Sequence, residues 1–497
     1  MEKRKVRAQV ERLLDESGDT TLSIIVQGRT PHLSSAVANA AASAARTRSI
    51  SAASDLLPEA YRRGAVRRSS QIERTASAVA SLKSAGITAI EPIQKGTFIN
   101  SSRLARRADQ RGKPRPLALA GAAAMEIHRD DLAKLPVELP EALAVFANRR
   151  VPVPPKMKPR SVNQAIVGRS THAWGLESSG ALATWGAFEA RGQGTRVAVL
   201  DTGVEPDHSD LHGKVLQFAE FDEQGNIVKK GIKHARDVDG HGTHVCGTIA
   251  GGRESGRWIG MAPEAKLLVG KVLGRNGGTD EQILQGIEWA IRSSAGVINL
   301  SLGGLSFEPG VLDTYTSMVL AARQAGIPVI AAIGNDGHQT SGNPGNDFFA
   351  LAVGAHDVTD RVAAFSGGRT QIVRQSDVIP DRDLPLIFSK PDLAAPGVEV
   401  LSCAGKTKWD YASGTSMACP HVAGAAALLL SRTPAARGGA PLLELDGWER
   451  SERVIQLLVG SVVDLGENGQ DHRFGHGRLC VLRAYSKAVE LGYLPGA

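Results

Sequence analysis

Short apolar β-rich runs alternate with helical patterns from about residue 174 onward, and this alternation constrains the fold more than any other feature. The β-rich runs are Arg196–Leu200, Leu267–Val272, Gly296–Leu300, Pro328–Ala332 and Phe349–Val353, and the helical patterns are Asp280–Arg292, Tyr315–Gly326 and Pro420–Ser431. Continuous apolar strands separated by helices are typical of a parallel sheet that is covered on both faces. We therefore predict an α/β domain with a mostly parallel sheet and helices on both faces.

The N-terminal part follows a different pattern. Its predicted elements are strand Thr21–Gln27, helix Gln71–Ser84, strand Ile87–Asn100, strand Leu117–His128, helix Arg129–Leu135 and strand Ala142–Val153. The order β, α, β, β, α, β is the split-βαβ pattern of ferredoxin-like domains. We predict a smaller α+β domain over residues 1–150, with the Ala-, Ser- and Arg-rich residues 31–70 as an insertion.

The 497 residues suggest two or three domains. The segment VPVPPKMKPR opens a proline-rich linker over residues 151–169, since prolines favour extended backbone. The α/β domain then spans residues 170–490, and residues 491–497 form a tail.

Charge is unevenly divided between the two parts. Residues 1–160 hold 28 basic and 15 acidic residues, a net charge of +13, whereas residues 161–497 carry −6. The two parts therefore attract each other electrostatically, and dissolved salt screens this attraction. A nucleic-acid-binding arm is the alternative, but the arginine pairs are scattered and few aromatic residues lie among them to stack on bases. We expect no nucleic-acid partner.

The cysteines and the N-terminal segment indicate the compartment. The four cysteines form no CxxC pair, so we expect free thiols. The first residues, MEKRKVRAQVERLLDESGD, contain no apolar core of a secretory signal, and no run of about 18 apolar residues follows. We expect a cytoplasmic protein with no membrane partner, with unconventional export as the alternative; the oligomeric state is left open.

Two segments place an acid and a histidine where chemistry is common. In VAVLDTGV an apolar strand ends at Asp201, the end of a strand where open α/β sheets carry their sites. Taken alone, Asp201 is more simply a residue that caps the following turn. In DGHGTHVCG, His241 lies in a glycine-rich turn before a helix. A metal site from His241, His244 and Cys246 is the alternative, which the absence of HExxH and of paired carboxylates disfavours.

Two further segments add a carboxamide and a hydroxyl. In AAIGNDG an apolar strand leads to Asn335, whose side chain is able to donate a hydrogen bond to a developing oxyanion, although asparagine is also an ordinary turn residue. In GTSMACPHVAG, Ser416 precedes a helix of small residues. A helix N-terminus offers free N–H groups and a positive dipole end, and both favour an anion forming beside Ser416.

Together, in the order Asp, His, Asn, Ser, these segments resemble the subtilisin-like serine proteases, the subtilases. The motifs VAVLDTGV, HGTHVCGT and GTSMACPHVAG carry the resemblance, with HSDLHGKV, GMAPEAKLLVGKVL, GIEWAI, VINLSLGG and LAAPGVEV in support. The resemblance covers about residues 170–490. It implies a serine endopeptidase that hydrolyses peptide bonds of proteins through an acyl-enzyme and that needs no cofactor for its chemistry.

The resemblance also implies roles for single residues. Ser416 is the nucleophile, His241 is the general base and then the general acid, and Asp201 orients the imidazole. Asn335 and the backbone N–H of Ser416 form the oxyanion hole, with Thr415 in support. Two glycine-rich edge strands would bind the substrate backbone, and Gly342 would form the floor of the first specificity pocket; the strand residues are Gly277, Gly278, Ser301, Leu302 and Gly303.

Two further implications concern calcium and the N-terminal domain. A structural calcium ion is common in the family, and Asp210 matches a ligand position, although the family's Asn-rich companion loop is replaced by GGRESG at Gly251–Gly256, which contains Glu254 as its one acid. The N-terminal domain resembles the propeptide of subtilases, an intramolecular chaperone and inhibitor whose last strand enters the active-site cleft. A permanent regulatory or partner-binding domain is the alternative, because the region is longer than a usual propeptide.

Two other functions compete with proteolysis. A binding protein on an inactive subtilase fold is disfavoured because Asp201, His241, Asn335 and Ser416 are all present. Another serine hydrolase, such as an esterase, is disfavoured because the chain has no GxSxG nucleophile elbow and its triad order differs.

Overall fold

The computed structural model describes residues 9–11, 13–15, 21–27, 115–135, 144–155, 170–305, 310–311, 315–375 and 384–496. The predicted insertion 31–70, the helix at 71–84, the strand at 87–100 and most of the predicted linker lie outside the described residues. Among the described residues, no helix is both long enough and apolar enough to cross a membrane.

The N-terminal part contains a four-stranded antiparallel sheet with the order β2-β3-β1-β4. Its strands are β1 (Thr21–Gln27), β2 (Arg115–Leu117), β3 (Ala122–His128) and β4 (Ala144–Ala147), and helix α1 (Arg129–Leu132) follows β3. This is the strand order of a split-βαβ sheet. The predicted single strand over 117–128 is wrong, because the chain reverses through a 3₁₀ turn at Ala118–Ala120 and forms a hairpin. A two-residue strand, β5 (Arg150–Val151), comes after β4.

Sixteen more strands are described after residue 170. They are β6 (Arg196–Asp201), β7 (Val215–Phe221), β8 (Ile227–Lys230), β9 (Lys266–Lys271), β10 (Gly278–Thr279), β11 (Val297–Leu300), β12 (Gly304–Leu305), β13 (Gly310–Val311), β14 (Val329–Ala332), β15 (Gly342–Asn343), β16 (Leu351–His356), β17 (Arg369–Gln375), β18 (Leu386–Lys390), β19 (Leu393–Pro396), β20 (Val400–Ala404) and β21 (Lys408–Ala412). The described helices are α2 (Trp174–Ser178), α3 (Ala181–Phe188), α4 (His241–Ala250), α5 (Asp280–Arg292), α6 (Thr316–Gln324), α7 (Thr415–Leu429), α8 (Pro441–Glu444), α9 (Gly447–Val459) and α10 (Val481–Glu490).

Eight of these strands form the central sheet, in the order β19-β16-β14-β11-β6-β9-β7-β8. Every neighbouring pair is parallel except β7 with β8. The predicted mostly parallel sheet is therefore confirmed, and all five β-rich runs named from the sequence are strands of it. Strand β6 shows why: Val197 and Val199 are buried in the core on one face, and Ala198 and Leu200 are buried in the core on the other.

Helices cover both faces of this sheet, as predicted. Helices α4 and α7 pack together on one face, whereas α5 and α6 pack on the other. Helix α7 begins at Thr415, five residues before the predicted start at Pro420. Proline is common in the first turn of a helix, so the pattern suggested a start there. In the structure Pro420 lies inside the helix instead, and Ser416 becomes its second residue.

The N-terminal sheet packs onto the face of the larger domain that α5 and α6 cover. Its residues Ile25, Leu117 and Ala124 belong to the same buried cluster as Ile283 of α5 and Met318 of α6. The opposite face of the small sheet buries a separate cluster that includes Ile24, Val26 and Met125. Both faces of the small sheet therefore bury apolar side chains. One face packs against the larger domain, and the other face packs in a separate cluster.

Candidate active site

Three predicted site residues lie at one edge of the central sheet. Asp201 is the last residue of β6, Ser301 directly follows β11, and Asn335 lies three residues after β14. Strands β14, β11 and β6 are neighbours and run parallel. Their carboxyl ends therefore meet at the same edge, where open α/β sheets bind their ligands.

Two helices begin at this edge. His241 is the first residue of α4, and Thr415 and Ser416 open α7. The two helices pack against each other under the sheet. Their first N–H groups have no partner within the helix, so both helix ends turn positive electrostatic potential toward the site.

His241 and Asp201 form a buried pair. The imidazole Nδ1 lies 2.8 Å from Asp201 Oδ1, and Asp201 Oδ1 also accepts a hydrogen bond from the backbone N–H of Thr202 at 2.7 Å. Burial opposes a charge on His241, but the charge of Asp201 and its hydrogen bond outweigh burial and raise the pKa of the imidazole. With Nδ1–H donating to Asp201, the basic nitrogen is Nε2, which has no hydrogen-bond partner among the described residues.

Ser416 is buried and its hydroxyl donates to the backbone carbonyl of Ser301 at 3.1 Å. The hydrogen bond from Ser416 to His241 Nε2 that a triad needs is not formed in this side-chain conformation. Such bonds are often absent before substrate binds.

Asn335 is held by the start of α7. Its Oδ1 accepts hydrogen bonds from Thr415 N at 2.8 Å and from Thr415 Oγ1 at 3.0 Å. These bonds fix the carboxamide so that its Nδ2 is left to donate elsewhere. A Cβ atom placed on Gly414 would lie 3.6 Å from both Asn335 Nδ2 and Ser416 N, so the two donors border the same space. Two N–H donors beside one space are what an oxyanion hole requires.

Residues 150–152 lie against the two segments that were predicted to bind substrate. Gly278 of β10 pairs in antiparallel fashion with Val151 of β5, and Gly277 approaches so closely that a Cβ there would lie 2.2 Å from the Val151 carbonyl oxygen. On the other side, a Cβ on Gly304 would lie 3.9 Å from Pro152. Val151, expected to open a linker, is therefore part of a short strand that pairs with the first segment, and Pro152 lies close to the second segment.

The second segment continues from Ser301 into β12. Leu302 is buried, and Gly303 is so close to the backbone of Asn343 that a Cβ would lie 2.5 Å from its carbonyl oxygen. Strand β12 pairs with β15, which contains Gly342. The amide of Gly342 donates to the carbonyl of Ile333, so Gly342 lies directly beside the turn that carries Asn335.

The surroundings of Asp210 do not fit a calcium ion. Its Oδ1 accepts from Glu254 N at 2.7 Å and its Oδ2 accepts from the Trp409 indole N–H at 2.6 Å. Calcium needs six to eight oxygen ligands, whereas each oxygen of the Asp210 carboxylate already accepts one N–H.

His208, Asp210 and Cys403 form one group of potential metal ligands whose donor atoms lie within 4.8 Å of one another. Both ring nitrogens of His208 are already engaged, with Lys408 O at 2.8 Å and with the backbone N–H of Asp210 at 3.2 Å. Burial raises the pKa of the Cys403 thiol, so this group stays protonated. The cluster is satisfied by protein partners and has no role in the chemistry considered below.

The alternative metal site in the motif around His241 has no support in the structure. His244 Nε2 pairs with the carbonyl of Val400 at 3.0 Å, and His241 Nδ1 pairs with Asp201. Burial raises the pKa of Cys246 well above its usual value. All four cysteines are free, as predicted.

Sequence reasoning missed one polar residue near the site. Asp237 lies four residues before His241 and accepts hydrogen bonds from both sides of the loop that precedes α4. An aspartate shortly before a helix start is the usual capping signal, and it was present in the segment RDVDGHGTH.

The fold is an α/β domain whose parallel sheet carries the buried Asp201–His241 pair at its carboxyl edge, where the helix that contains Ser416 begins. The model of the subtilase family matches residues 192–477, and the chain belongs to this family. It is a subtilisin-like serine endopeptidase, and its substrates are proteins or peptides.

Relatives with serine protease names cover about half of the chain. It is 36% identical over 264 residues to "Intracellular serine protease" of Paenibacillus polymyxa, a match that covers 51% of this chain and 72% of the relative. It is 32% identical over 283 residues to "Major intracellular serine protease" of Bacillus subtilis, covering 56% and 80%. It is 37% identical over 283 residues to "Thermostable alkaline protease" of Halalkalibacterium halodurans, covering 56% and 68%.

Proposed function

We propose that this endopeptidase works through Ser416, His241 and Asp201, with Asn335 and the Ser416 backbone N–H as oxyanion donors. The observation that carries the proposal is the buried 2.8 Å contact between His241 Nδ1 and Asp201 Oδ1, at the edge where α7 begins. This contact leaves Nε2 as the basic atom of the imidazole, and Ser416 lies at the N-terminus of the helix that packs against α4.

The reaction follows from these positions. His241 Nε2 takes the proton of Ser416 as the hydroxyl oxygen attacks the peptide carbonyl, and the carbonyl oxygen gains negative charge. Asn335 Nδ2 and Ser416 N–H donate to that oxygen. His241 then protonates the leaving amine, and an acyl-enzyme remains on Ser416. Water attacks the acyl-enzyme with His241 again as the base, and the free serine is restored.

The hydrogen bond from the Ser416 hydroxyl to the Ser301 carbonyl suggests how substrate binding starts the reaction. The Ser301 carbonyl belongs to a segment expected to receive the substrate backbone, so a substrate N–H can take the place of the Ser416 hydroxyl there. The displaced hydroxyl then has His241 Nε2 as its remaining acceptor. Substrate binding thereby promotes the hydrogen bond on which nucleophilic attack depends.

We also propose that the N-terminal domain inhibits the protease through its last strand. Arg150 and Val151 pair with Gly278 and Thr279, which are expected to bind substrate backbone. A peptide that adds a strand at this position excludes a substrate from the same hydrogen bonds. Pro152 lies against Gly304 on the opposite side, so the segment fills the space between both walls.

Ion pairs at the start of α5 support the same docking. Arg115 of the N-terminal sheet forms two hydrogen bonds to Glu281, at 2.6 and 2.9 Å, and Arg149 binds Asp280 at 2.8 Å. The side chain of Asn148 adds a contact to Glu281 at 3.2 Å. In these pairs, basic residues of the N-terminal part bind acidic residues of the larger domain, in agreement with the net charges of the two parts.

The cytoplasm is the location that we propose. Two of the relatives carry the word intracellular in their names. An inhibitory domain suits a protease that is made among the proteins it is able to cleave.

The experiment is digestion of casein by the purified full-length protein, with and without a serine-directed inhibitor, compared with Ser416→Ala. We expect inhibitor-sensitive digestion that Ser416→Ala abolishes. Mass spectrometry of the same samples tests the N-terminal domain: a shortened wild type beside a full-length Ser416→Ala protein indicates self-cleavage. If both proteins stay full length, the domain is a permanent inhibitor or regulator. If Ser416→Ala digests casein as fast as wild type, the proposed mechanism is wrong.

A further inference from the structure

Asp237 is the centre of a hydrogen-bond network in the loop that leads to His241. Its carboxylate accepts five hydrogen bonds: from Thr202 Oγ1 at 2.8 Å, Asp239 N at 3.1 Å, Gly240 N at 2.8 Å, Thr243 N at 2.7 Å and Thr243 Oγ1 at 2.6 Å. A surface acid that merely caps a helix accepts one or two such bonds. Five donors to one carboxylate indicate that the surrounding structure holds the Asp237 side chain in a fixed position.

The five donors lie next to the elements that carry the proposed acid and base. Thr202 directly follows Asp201 and β6, Asp239 and Gly240 lie in the loop before α4, and Thr243 lies in the first turn of α4, which His241 opens. The backbones of the same segments are also joined, because Val204 N donates to Arg236 O at 3.3 Å and Val238 N to Thr202 O at 3.3 Å. Asp237 therefore fixes the start of α4 relative to the end of β6.

Asp237 is ionised in this setting. Burial opposes its charge, but the hydrogen bonds from Thr243, Gly240, Asp239 and Thr202 outweigh burial and lower its pKa. Its negative charge also acts on the imidazole: Asp201, Asp237 and Asp239 are the acids that raise the pKa of His241.

We propose that Asp237 is a positioning residue for catalysis, which sets the His241 imidazole at its working distance from Asp201 and Ser416 through the first turn of α4. The inference rests on the triad proposed above. Asp237 makes no contact with the reacting atoms. Its effect is geometric, and a displacement of about 1 Å in a catalytic group is able to cost about 100-fold in rate.

The test uses graded changes at this network. Asp237→Asn keeps an oxygen for Thr202 and Gly240 but offers no acceptor to Thr243 N–H, whereas Asp237→Ala loses all five bonds. Thr243→Val keeps the side-chain shape and removes the hydroxyl donor alone. The matched control is Asp239→Asn, which removes a unit charge from the same loop while leaving the Asp237 carboxylate in place.

We expect kcat for a peptide substrate, measured per titrated active site, to fall about 10-fold in Asp237→Asn and about 100-fold in Asp237→Ala. The kcat of Thr243→Val falls by less than the kcat of Asp237→Asn. KM stays within about twofold, because the segments expected to bind substrate lie at β10 and directly after β11, and not on α4. The acid limb of kcat/KM moves to lower pH in the Asp237 variants, since a charge that stabilises protonated His241 has been removed. Asp239→Asn moves the limb in the same direction without the loss of kcat.

Two results overturn the inference. One is an Asp237→Asn variant whose kcat is within twofold of wild type and whose acid limb lies at the wild-type pH. The other is a loss of kcat in Asp239→Asn equal to that in Asp237→Asn. Circular dichroism and thermal unfolding identify a variant that does not fold, and Thr243→Val then carries the test. A different outcome concerns the proposed function: if a fluorophosphonate labels Ser416 neither in wild type nor in Arg115→Ala, which lacks the Arg115–Glu281 pair, the triad assignment fails before Asp237 is tested.

Discussion

Loss of Arg115 should open the active-site cleft of the full-length protein. Arg115 lies on the N-terminal sheet and holds Glu281 at the start of α5 with two hydrogen bonds. The Glu281 side chain is fully buried and Arg115 is 18% exposed. Arg115→Ala therefore leaves a buried carboxylate without its cation, and the docked state loses stability relative to the open one.

The size of the effect follows from this burial. Truncating one partner of a buried, hydrogen-bonded charge pair at an interface costs about 2–5 kcal/mol. Asn148 still donates to Glu281, so we take the lower part of the range, about 2–3 kcal/mol. Since about 1.4 kcal/mol corresponds to a factor of ten, the open fraction should increase by about 30- to 150-fold.

The assay is the rate at which a fluorophosphonate labels the full-length protein, because the reagent reaches Ser416 when the cleft is open. Arg150→Ala is the control at the same interface. Its pair with Glu223 is exposed, at 61% and 53% for the two side chains, and is worth less than about 1 kcal/mol. Arg115→Ala/Glu281→Ala should lose part of the gain, because the buried charge is removed together with its partner.

The result that refutes this reasoning is labelling of Arg115→Ala within twofold of wild type, provided that Ser416→Ala is not labelled. The N-terminal domain would then not restrict the cleft, although it contacts the catalytic domain. Equal acceleration by Arg150→Ala would show instead that any lost charge loosens the interface, and would remove the special role of the buried pair.

Three other predictions concern the oxyanion hole, acid stability and calcium. Asn335→Ala should lower kcat by about 10²–10³-fold, the loss known for one such donor in subtilisin, with little change in KM; steady-state kinetics with equal kcat would exclude Asn335. Burial lowers the pKa of His421 to about 4, below the value of about 6.5 in the unfolded chain. The unfolding free energy should thus be highest above pH 6.5 and fall by roughly 3 kcal/mol as the pH drops to about 4. Urea unfolding at pH 7 and 5 checks this, and His421→Gln should flatten the slope. Because N–H groups occupy both oxygens of Asp210, Tm should be the same in EDTA and in millimolar calcium; a rise of several degrees with calcium, lost in Asp210→Asn, would contradict this.

The sheet could be predicted from the sequence because its strands are buried on both faces. A parallel strand between two helix layers is an uninterrupted run of apolar residues, as in VAVL before Asp201. Such a run is easily recognised in the sequence. The four site residues were found through their motifs. Their convergence follows from topology, because the ends of β6, β11 and β14 lie side by side.

The errors came from local signals that the tertiary structure overrides. Pro420 suggested the start of a helix that begins at Thr415, since proline in a first turn is common and proline within a buried helix is not. The turn at Ala118–Ala120 interrupts a stretch whose alanines and leucines suit a continuous strand.

Other features depend on contacts between residues far apart in the chain. Arg115 and Glu281 are 166 positions apart, and nothing in either local sequence identifies the partner. The same holds for Val151 and Gly278, whose pairing turns the start of a predicted linker into a strand. The overall charge difference predicted that the two parts attract each other, but not which residues meet.

Covalent labelling of Ser416 tests the central claim most directly. The Arg115→Ala protein is treated with a fluorophosphonate, and its peptides are analysed by mass spectrometry. We predict a single adduct on the peptide that contains Ser416, formed about 10²–10⁴-fold more slowly in a further His241→Ala variant, because the hydroxyl then lacks its base. An adduct on a different serine, or an undiminished rate without the imidazole, would contradict the account.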